Sequence, residues 1–163
     1  MVLIKNLEWE YADSETSEAE IIDIGLRLGY SFPQDYIDCV KINGGASVIP
    51  EAFNVGTVER CFGSLFSFDE VSSEYIVKKY EIYKGFLPKK VFPIACDPAG
   101  NLICFDYESN ESPIVVFWEH ENAAEKELLI TDGLTEEEAE KRARKNIVYV
   151  AATFTEFLDK LHD

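Results

Sequence analysis

Apolar positions between residues 17 and 45 recur at helical spacing and predict two short helices that form a helical hairpin or a corner. Ser17–Glu20 has the form of a capping box, which starts a helix, and Gly29 ends that helix. Pro33 suits the first position of the second helix, because a proline there forfeits no hydrogen bond. The inward-facing positions of the two helices are Ile21, Ile24, Gly25, Leu28, Tyr36, Ile37 and Val40.

The second helix runs into Asn43, Gly44 and Gly45, which together predict a hard stop. Glycine accepts the left-handed conformation that closes a helix C-terminus, and we assign that role to Gly44. A phosphate-binding loop is the alternative, but such a loop lies between a strand and a helix, which is not the order here. We therefore interpret the glycine pair as a helix end that leads into short strands.

Residues 91–118 carry the clearest strand pattern. Val91–Cys96 and Leu102–Asp106 are apolar runs on either side of Asp97–Asn101, whose proline and glycine positions describe a hairpin loop. A calcium loop is the alternative, and we favour the turn because the spacing does not follow the EF-hand pattern. Ile114–Trp118 supplies a third strand, so this region predicts an antiparallel meander.

Weaker patterns complete the predicted fold. Thr153 caps a final helix whose core-facing stripe is Phe154, Phe157, Leu158 and Leu161. The other predicted elements are a strand or extended arm at Leu3–Tyr11, a strand at Cys61–Phe68, a helix at Glu70–Lys84 with Val71 and Tyr75 inward, a surface helix from Thr135 to about Asn146 and a strand at Ile147–Val150. The sequence thus predicts an α+β fold in which a mostly antiparallel sheet is flanked by N-terminal and C-terminal helices. We expect a single domain over residues 1–163, with a helical surface insertion at residues 123–146.

The composition fits a folded protein with a strong negative charge. Hydrophobic residues make up 47% of the 163 residues, and the formal net charge is −16. That charge argues against nucleic acid and anionic membranes as ligands and favours a basic protein partner, although solubility alone would also account for it. The first residues lack the apolar core of a signal peptide and no stretch is long enough to span a bilayer, so we expect a cytoplasmic location.

Groups with catalytic or metal-binding chemistry are scattered along the chain. The cysteines, which we expect to be reduced and buried with disulfides as the lesser alternative, are Cys39, Cys61, Cys96 and Cys104. His120 could serve a cysteine nucleophile or join nearby carboxylates at a metal site, but no spacing supports either role. We predict a surface or strand-end histidine and no catalytic, metal or cofactor site. A basic cluster within Lys78–Lys90, interleaved with tyrosines, suggests RNA binding, but the overall charge favours a solvated helix face.

One series of motifs extends over nearly the whole chain. Its residues are Pro33, Tyr36, Asn43, Gly44, Gly45, Ile94, Ala95, Asp97, Gly100, Trp118, His120, Phe154 and Phe157. In order and spacing the series resembles the SUKH superfamily, which includes the yeast cell-wall-synthesis regulator and many bacterial immunity proteins. The resemblance implies an α+β fold, mainly structural roles for these residues and no catalysis.

The resemblance and the charge together give a functional hypothesis. The resemblance implies an immunity protein that binds and neutralises a cognate bacterial toxin, and the acidity suggests that it covers a basic surface, as on a nuclease domain. The candidate partner-binding residues are Glu108, Glu111, Glu119 and Glu121, and Glu8–Asp23 is a second acidic stretch. A non-enzymatic interaction or regulatory adaptor is the first alternative, and a small hydrolase using Asp106, His120 or a cysteine is the second. The identity of the toxin and the oligomeric state stay open.

Overall fold

The computed structural model describes residues 6–109 and 111–163. The helices are α1 (Glu18–Leu28), α2 (Gln34–Asn43), α3 (Ile76–Tyr83), α4 (Lys126–Thr131), α5 (Glu136–Arg144) and α6 (Phe154–Asp159). The strands are β1 (Glu8–Glu10), β2 (Ser47–Ile49), β3 (Ala52–Val55), β4 (Val58–Cys61), β5 (Ser64–Leu65), β6 (Val91–Cys96), β7 (Leu102–Asp106), β8 (Ile114–Trp118) and β9 (Ile147–Ala151). This arrangement is α+β, as predicted.

The central sheet is antiparallel throughout and holds the predicted meander. Its five strands lie in the order β5-β6-β7-β8-β9, with Phe92 opposite Phe105 and Phe105 opposite Val115. Two separate antiparallel pairs, β1-β2 and β3-β4, complete the strands among the described residues. The first part of the predicted N-terminal strand, residues 3–5, lies outside the described residues.

Aromatic side chains fill the core between the sheet and the helices. Tyr36 of α2 contacts Phe105 of β7 and Phe154 of α6, with ring centroids 5.0 and 5.4 Å apart. The four apolar residues predicted to face inward from the last helix are all buried. Burying a large aromatic side chain contributes about 2–3 kcal/mol, so this cluster is a principal source of stability.

The predicted corner of α1 and α2 is present, but its details differ from expectation. The Ser17 side chain accepts a hydrogen bond from the Glu20 amide at 3.2 Å, and Gly29 closes α1 with φ 96°. Pro33 is the N-cap of α2 rather than its first helical residue, because its ψ of 150° is extended. Its carbonyl accepts the first helical hydrogen bond, from the Ile37 amide at 3.1 Å.

The left-handed residue after α2 is Gly45, so the assignment of that role to Gly44 is wrong. Gly44 has φ −58° and ψ 134°, whereas Gly45 has φ 82°. The Ala46 amide donates to the Asn43 carbonyl at 3.1 Å. The chain therefore leaves the helix through a type II turn, in which the third residue carries the positive φ.

The predicted helix over residues 70–84 is also too long. It is α-helical only from Ile76, and Val71 is 85% exposed instead of facing the core. In the preceding segment the Ser67 and Asp69 side chains accept hydrogen bonds from the amides of Asp69 and Val71. Such local side-chain bonds offer the backbone an alternative to the helix, which explains the later start.

Residues 123–146 form two short helices, although the sequence predicts one. Thr135 caps α5 with the full reciprocal capping box, whereas α4 was not foreseen. Ala139 and Ala143 of α5 are buried against the rest of the protein. The status of this segment as a surface insertion stays a prediction.

All four cysteines are free thiols, but they are not all buried. Cys104 is buried, Cys39 and Cys96 are partly buried, and Cys61 is exposed on β4, where the expectation of burial is wrong. Cys61 lies on β4, none of whose residues is buried, whereas the paired strand β3 carries the buried side chains. None of the helices in the described part of the chain has the length and apolar content to cross a bilayer.

Candidate functional site

The turn between β6 and β7 is tied to the end of β8 by a chain of side-chain hydrogen bonds. Asp97, which is 6% exposed, accepts bonds from the Asn101 backbone amide at 2.7 Å and from its side-chain Nδ2 at 2.9 Å. Asn101 Oδ1 then accepts from the His120 amide at 3.0 Å and lies 2.7 Å from His120 Nδ1. Because the Asn101 oxygen faces the ring, Nδ1 of His120 carries the hydrogen.

This arrangement orients His120 but supplies no nucleophile for it. Burial raises the pKa of the Cys104 thiol well above its ordinary value and also raises that of Cys96. Asp106 ends β7 while Asn101 precedes it, and a rise of about 3.4 Å per residue separates these two positions by roughly 17 Å. The groups considered for a small hydrolase are therefore not brought together.

Metal binding finds no geometric support either. Within residues 6–109 and 111–163 no three histidine, cysteine, aspartate or glutamate side chains converge as a metal site would require. Asp106 is instead held by Arg144, through bonds of 2.6 and 3.2 Å. His120 lies with Asn101 and Gly100 at the hairpin turn, at the end of a strand as expected.

The four candidate partner-binding glutamates lie in two pairs at opposite ends of β8. Glu108 and Glu111 precede the strand, whereas Glu119 and Glu121 follow it. Glu108 forms an ion pair with Arg144, and Glu119 lies 3.0 Å from a nitrogen of Arg60. Glu111 and Glu121 are exposed and have no ion pair among the described residues. The structure thus leaves two of these four charges uncompensated and does not gather them into one face.

Glu108 and Glu111 border an open cleft on the described surface. The cleft has a volume of about 630 Å³, and its wall is formed by Tyr30, Tyr107 and Lys90 among others. The Tyr107 hydroxyl donates to the Ser31 carbonyl at 3.0 Å. The cleft is about equally polar and apolar and is mixed in charge, so it offers no strong preference for one class of ligand.

Two lysines of the basic cluster near α3 are engaged by neighbouring groups. Lys84 pairs with Glu81 at 2.9 Å, and Lys79 lies over the Phe66 ring. The Tyr80 ring packs on Phe92 with centroids 5.2 Å apart, so it is not available to stack on a base. These contacts remove the stacking platform that single-stranded nucleic acid needs.

A second acidic surface covers the outer side of α1 and α2. The side-chain Nε2 of Gln34 donates to Glu18 at 2.7 Å and to Asp38 at 2.8 Å, so two carboxylates share one donor group. Neither carboxylate has an ion pair among the described residues. Between Glu8 and Asp23 the sequence has seven acidic residues and no basic one.

A comparison with protein families identifies the chain. The model of the SMI1/KNR4 family (SUKH-1) matches residues 15–160. The chain belongs to the SMI1/KNR4 family. No curated protein matches it. The resemblance drawn from the motif series is therefore confirmed, and the match includes every residue of that series.

Most motif positions of this SMI1/KNR4 member lie where packing or backbone geometry requires them. Gly45 and Gly100 have positive φ angles of 82° and 93°. The buried members are Tyr36, Gly44, Ile94, Ala95, Asp97, Trp118, Phe154 and Phe157. Their mainly structural role stays a prediction, and it agrees with this placement.

Sequence analysis missed the features of the SMI1/KNR4 chain that depend on contacts distant in sequence. The ion pairs of Arg60 with Glu119 and Arg144 with Asp106 join residues 59 and 38 positions apart. A local signal did exist for one feature: Ile22 and Leu26 are four residues apart on α1, outside the inward stripe. Both side chains are exposed.

Proposed function

We propose that this protein is an immunity protein that binds and neutralises a cognate toxin protein with a basic surface. The observation that carries the proposal is the excess of carboxylates over cations: 31 acidic residues against 15 basic ones, in a family whose members include immunity proteins. Several of the cations are already paired internally, as Arg60 and Arg144 are. Each of these ion pairs also takes up a carboxylate, so the net charge stays at −16 and most of the carboxylates among the described residues remain without a cation.

A nuclease domain fits such a surface best. A nuclease grips phosphates with lysine and arginine side chains, and an acidic protein can approach the same side chains and cover them. Exposed charges act mainly on the rate of encounter, and salt screens them over about 8–10 Å. We place the encounter in the cytoplasm, and we assign no catalytic step and no cofactor to this protein.

The four glutamates at the ends of β8 remain candidate contacts in this proposal. Glu111 and Glu121 are free to pair with cations of a partner, because neither has an ion pair among the described residues. Glu108 and Glu119 would have to share their charges with Arg144 and Arg60. Durable affinity should come from a small number of apolar or aromatic contacts, as at other protein interfaces.

Capture from the native host followed by kinetics with the purified partner tests the proposal. We expect a partner whose toxicity is abolished at one-to-one stoichiometry and whose association slows as the salt concentration rises. A captured partner that is not toxic, but whose own activity changes on binding, would instead support the adaptor alternative. A partner that associates at the same rate at low and high salt would contradict the electrostatic part of the mechanism.

A further inference from the structure

We infer that the basic partner docks on the outer face of α1 and α2, which we call the α1–α2 face. It consists of Glu18, Ile22 and Leu26 of α1 with Gln34, Asp38 and Ile42 of α2. Partner arginine or lysine side chains bind at Glu18 and Asp38, and partner apolar side chains cover the three apolar residues. The inference rests on the proposed function and names the surface and the chemistry of that contact.

On each helix these residues are four positions apart and therefore line one side, and contacts between the helices hold the two sides together. At one end the Thr16 amide, just before α1, donates to the Lys41 carbonyl of α2 at 3.0 Å. At the other end Gly25 packs so closely on Phe32 that a Cβ there would lie 2.7 Å from its ring. The side-chain amide of Gln34, at the start of α2, bonds to Glu18 at the start of α1 and to Asp38.

The centre of the α1–α2 face holds two negative charges without a cation. Glu18 and Asp38 both accept from the one amide nitrogen of Gln34, so the carboxylates lie near each other. Lys41 borders the same face, yet it forms no ion pair with either carboxylate. Bringing like charges together is unfavourable, and a partner guanidinium or ammonium placed between them would relieve the repulsion with charge-assisted bonds.

Apolar side chains beside these charges indicate a protein partner rather than a free ion. Leu26 is 62% exposed, Ile42 49% and Ile22 41%. Isolated apolar residues are common on surfaces, but here three of them lie on two neighbouring helices around the acidic pair. An apolar contact area with polar groups at its edge is the usual anatomy of a protein interface.

Charge decides between a basic partner and a second copy of this chain. A second copy would bring another net charge of −16 and place acidic residues against acidic residues. Glu18 and Ile22 of the α1–α2 face also belong to the stretch without a basic residue, Glu8–Asp23, whereas Arg144 and Arg60 neutralise part of the surface at the ends of β8. The α1–α2 face therefore offers a basic partner two neighbouring carboxylates that form no ion pair among the described residues.

A synthetic probe tests the surface independently of the natural partner. The probe is a helical peptide with leucines at i, i+3, i+4 and i+7 and arginines elsewhere, titrated into the isotope-labelled protein and followed by NMR amide shifts. We expect the shifts to concentrate in residues 15–43. A matched peptide with glutamate in place of arginine should not bind, and one with serine in place of leucine should bind more weakly. Shifts confined to the ends of β8, or spread over the whole surface, would overturn the assignment.

Charge reversal compares the two acidic surfaces directly. The variant Glu18→Lys/Asp38→Lys should raise the Kd of the arginine–leucine peptide roughly tenfold or more. A tenfold change in Kd corresponds to about 1.4 kcal/mol, which the loss of one well-placed charge contact can account for. The variant Glu111→Lys/Glu121→Lys changes the net charge equally, and we expect it to shift the Kd by less than about twofold. Equal effects of both variants would mean that only the net charge matters and would overturn the inference.

The natural partner separates failure of the surface from failure of the proposed function. With the toxic partner captured from the host, Leu26→Ser should speed dissociation, and Glu18→Lys/Asp38→Lys should slow association. If neutralisation persists unchanged in both variants, the docking surface is wrong and the immunity function stands. If light scattering shows a dimer that Leu26→Ser dissolves, the occupant is a second copy and the inference is wrong.

Discussion

Arg144 of α5 holds the carboxylate of Asp106 at the end of β7 with two parallel hydrogen bonds. Nη1 of Arg144 lies 2.6 Å from Oδ2, and Nη2 lies 3.2 Å from Oδ1. The same Nη2 also donates to the Lys89 carbonyl at 2.9 Å. One guanidinium thus joins α5, the central sheet and the loop before β6. Asp106 is 9% exposed, so its charge depends on this partner.

Removal of the Arg144 side chain should destabilise the protein by about 1–3 kcal/mol. The substitution leaves the nearly buried carboxylate of Asp106 without its partner. Because Arg144 is partly exposed, solvent limits the resulting loss in the free energy of unfolding. Denaturant unfolding of Arg144→Ala measures the effect. Arg142→Ala is the matched control, because Arg142 lies on the same helix and is exposed. Equal stabilities of the two variants would show that the Arg144–Asp106 contact contributes nothing.

Gly45 should tolerate alanine much less well than Gly44. A side chain at Gly45 would adopt the left-handed conformation and overlap the Asp13 carboxylate. The conformation alone costs about 1–2 kcal/mol, and the overlap adds to it. At Gly44, where φ is −58°, a Cβ would lie a tight 3.2 Å from Ser67. We expect the free energy of unfolding to fall clearly more for Gly45→Ala than for Gly44→Ala.

The double variant Gly45→Ala/Asp13→Ala separates the two costs at this turn. Removal of the Asp13 carboxylate should relieve the overlap but not the backbone strain, so part of the stability returns. If the double variant is as stable as Asp13→Ala alone, or more stable, the positive φ of Gly45 carries no penalty. A larger loss for Gly44→Ala than for Gly45→Ala would contradict the type II turn itself.

The parts of the fold that were predicted correctly depend on neighbours in sequence. Ser17 and Thr135 cap helices with bonds to residues three positions away, and the α6 stripe needs only helical periodicity. The hairpin loop at Asp97–Asn101 follows from its proline and glycine. In the segment before α3 the same local reasoning failed, because Ser67 and Asp69 bond to nearby amides and replace a helical turn.

The candidate site could be predicted only in part, because charge compensation is a tertiary property. The sequence shows that Glu108 and Glu119 are acidic, but not that Arg144 and Arg60 lie against them. The exposure of Ile22 and Leu26 could have been read from α1, since they fall outside the stripe that contains Ile21. The sharing of Gln34 between two carboxylates needs the packing of α1 on α2.

The buried thiols should make the protein lose stability in alkaline solution. Burial raises the pKa of Cys39 from 9.0 to about 12, and that of Cys104 is raised well above its ordinary value. The folded state therefore holds a proton that the unfolded chain releases near pH 9. This contribution to the free energy of unfolding is fully present below about pH 9 and is lost as the pH rises towards 12.

The free energy of unfolding, measured between pH 8 and pH 11, tests whether stability falls as the pH rises. The decline should be shallower in Cys39→Ala, which lacks one of the titrating groups, than in the parent protein. Alkylation at pH 8 gives a second readout, because exposed Cys61 should react first and Cys104 last. Stability that rises between pH 9 and pH 11, or faster labelling of Cys104 than of Cys61, would contradict the burial of these thiols.

Charge reversal at Glu119 should cost stability, whereas the same change at Glu121 should not. Glu119 pairs with Arg60, whose guanidinium lies over the Phe117 ring at 5.0 Å. Glu119→Lys would place two positive charges side by side and lower the free energy of unfolding by about 1–2 kcal/mol. Glu121 is exposed and has no ion pair among the described residues, so Glu121→Lys should stay within about 0.5 kcal/mol of the parent.

This difference also governs how binding data from the two variants are interpreted. If Glu119→Lys weakens binding, part of the loss can come from a displaced Arg60 rather than from a missing contact with the partner. The additional change Arg60→Glu restores an opposite pair and should recover most of the stability. Thermal unfolding of Glu119→Lys, Glu121→Lys and Glu119→Lys/Arg60→Glu measures all three effects. Equal melting temperatures for the two single variants would show that the Arg60–Glu119 pair does not stabilise the fold, and loss of binding at Glu119 could then be assigned to the partner contact.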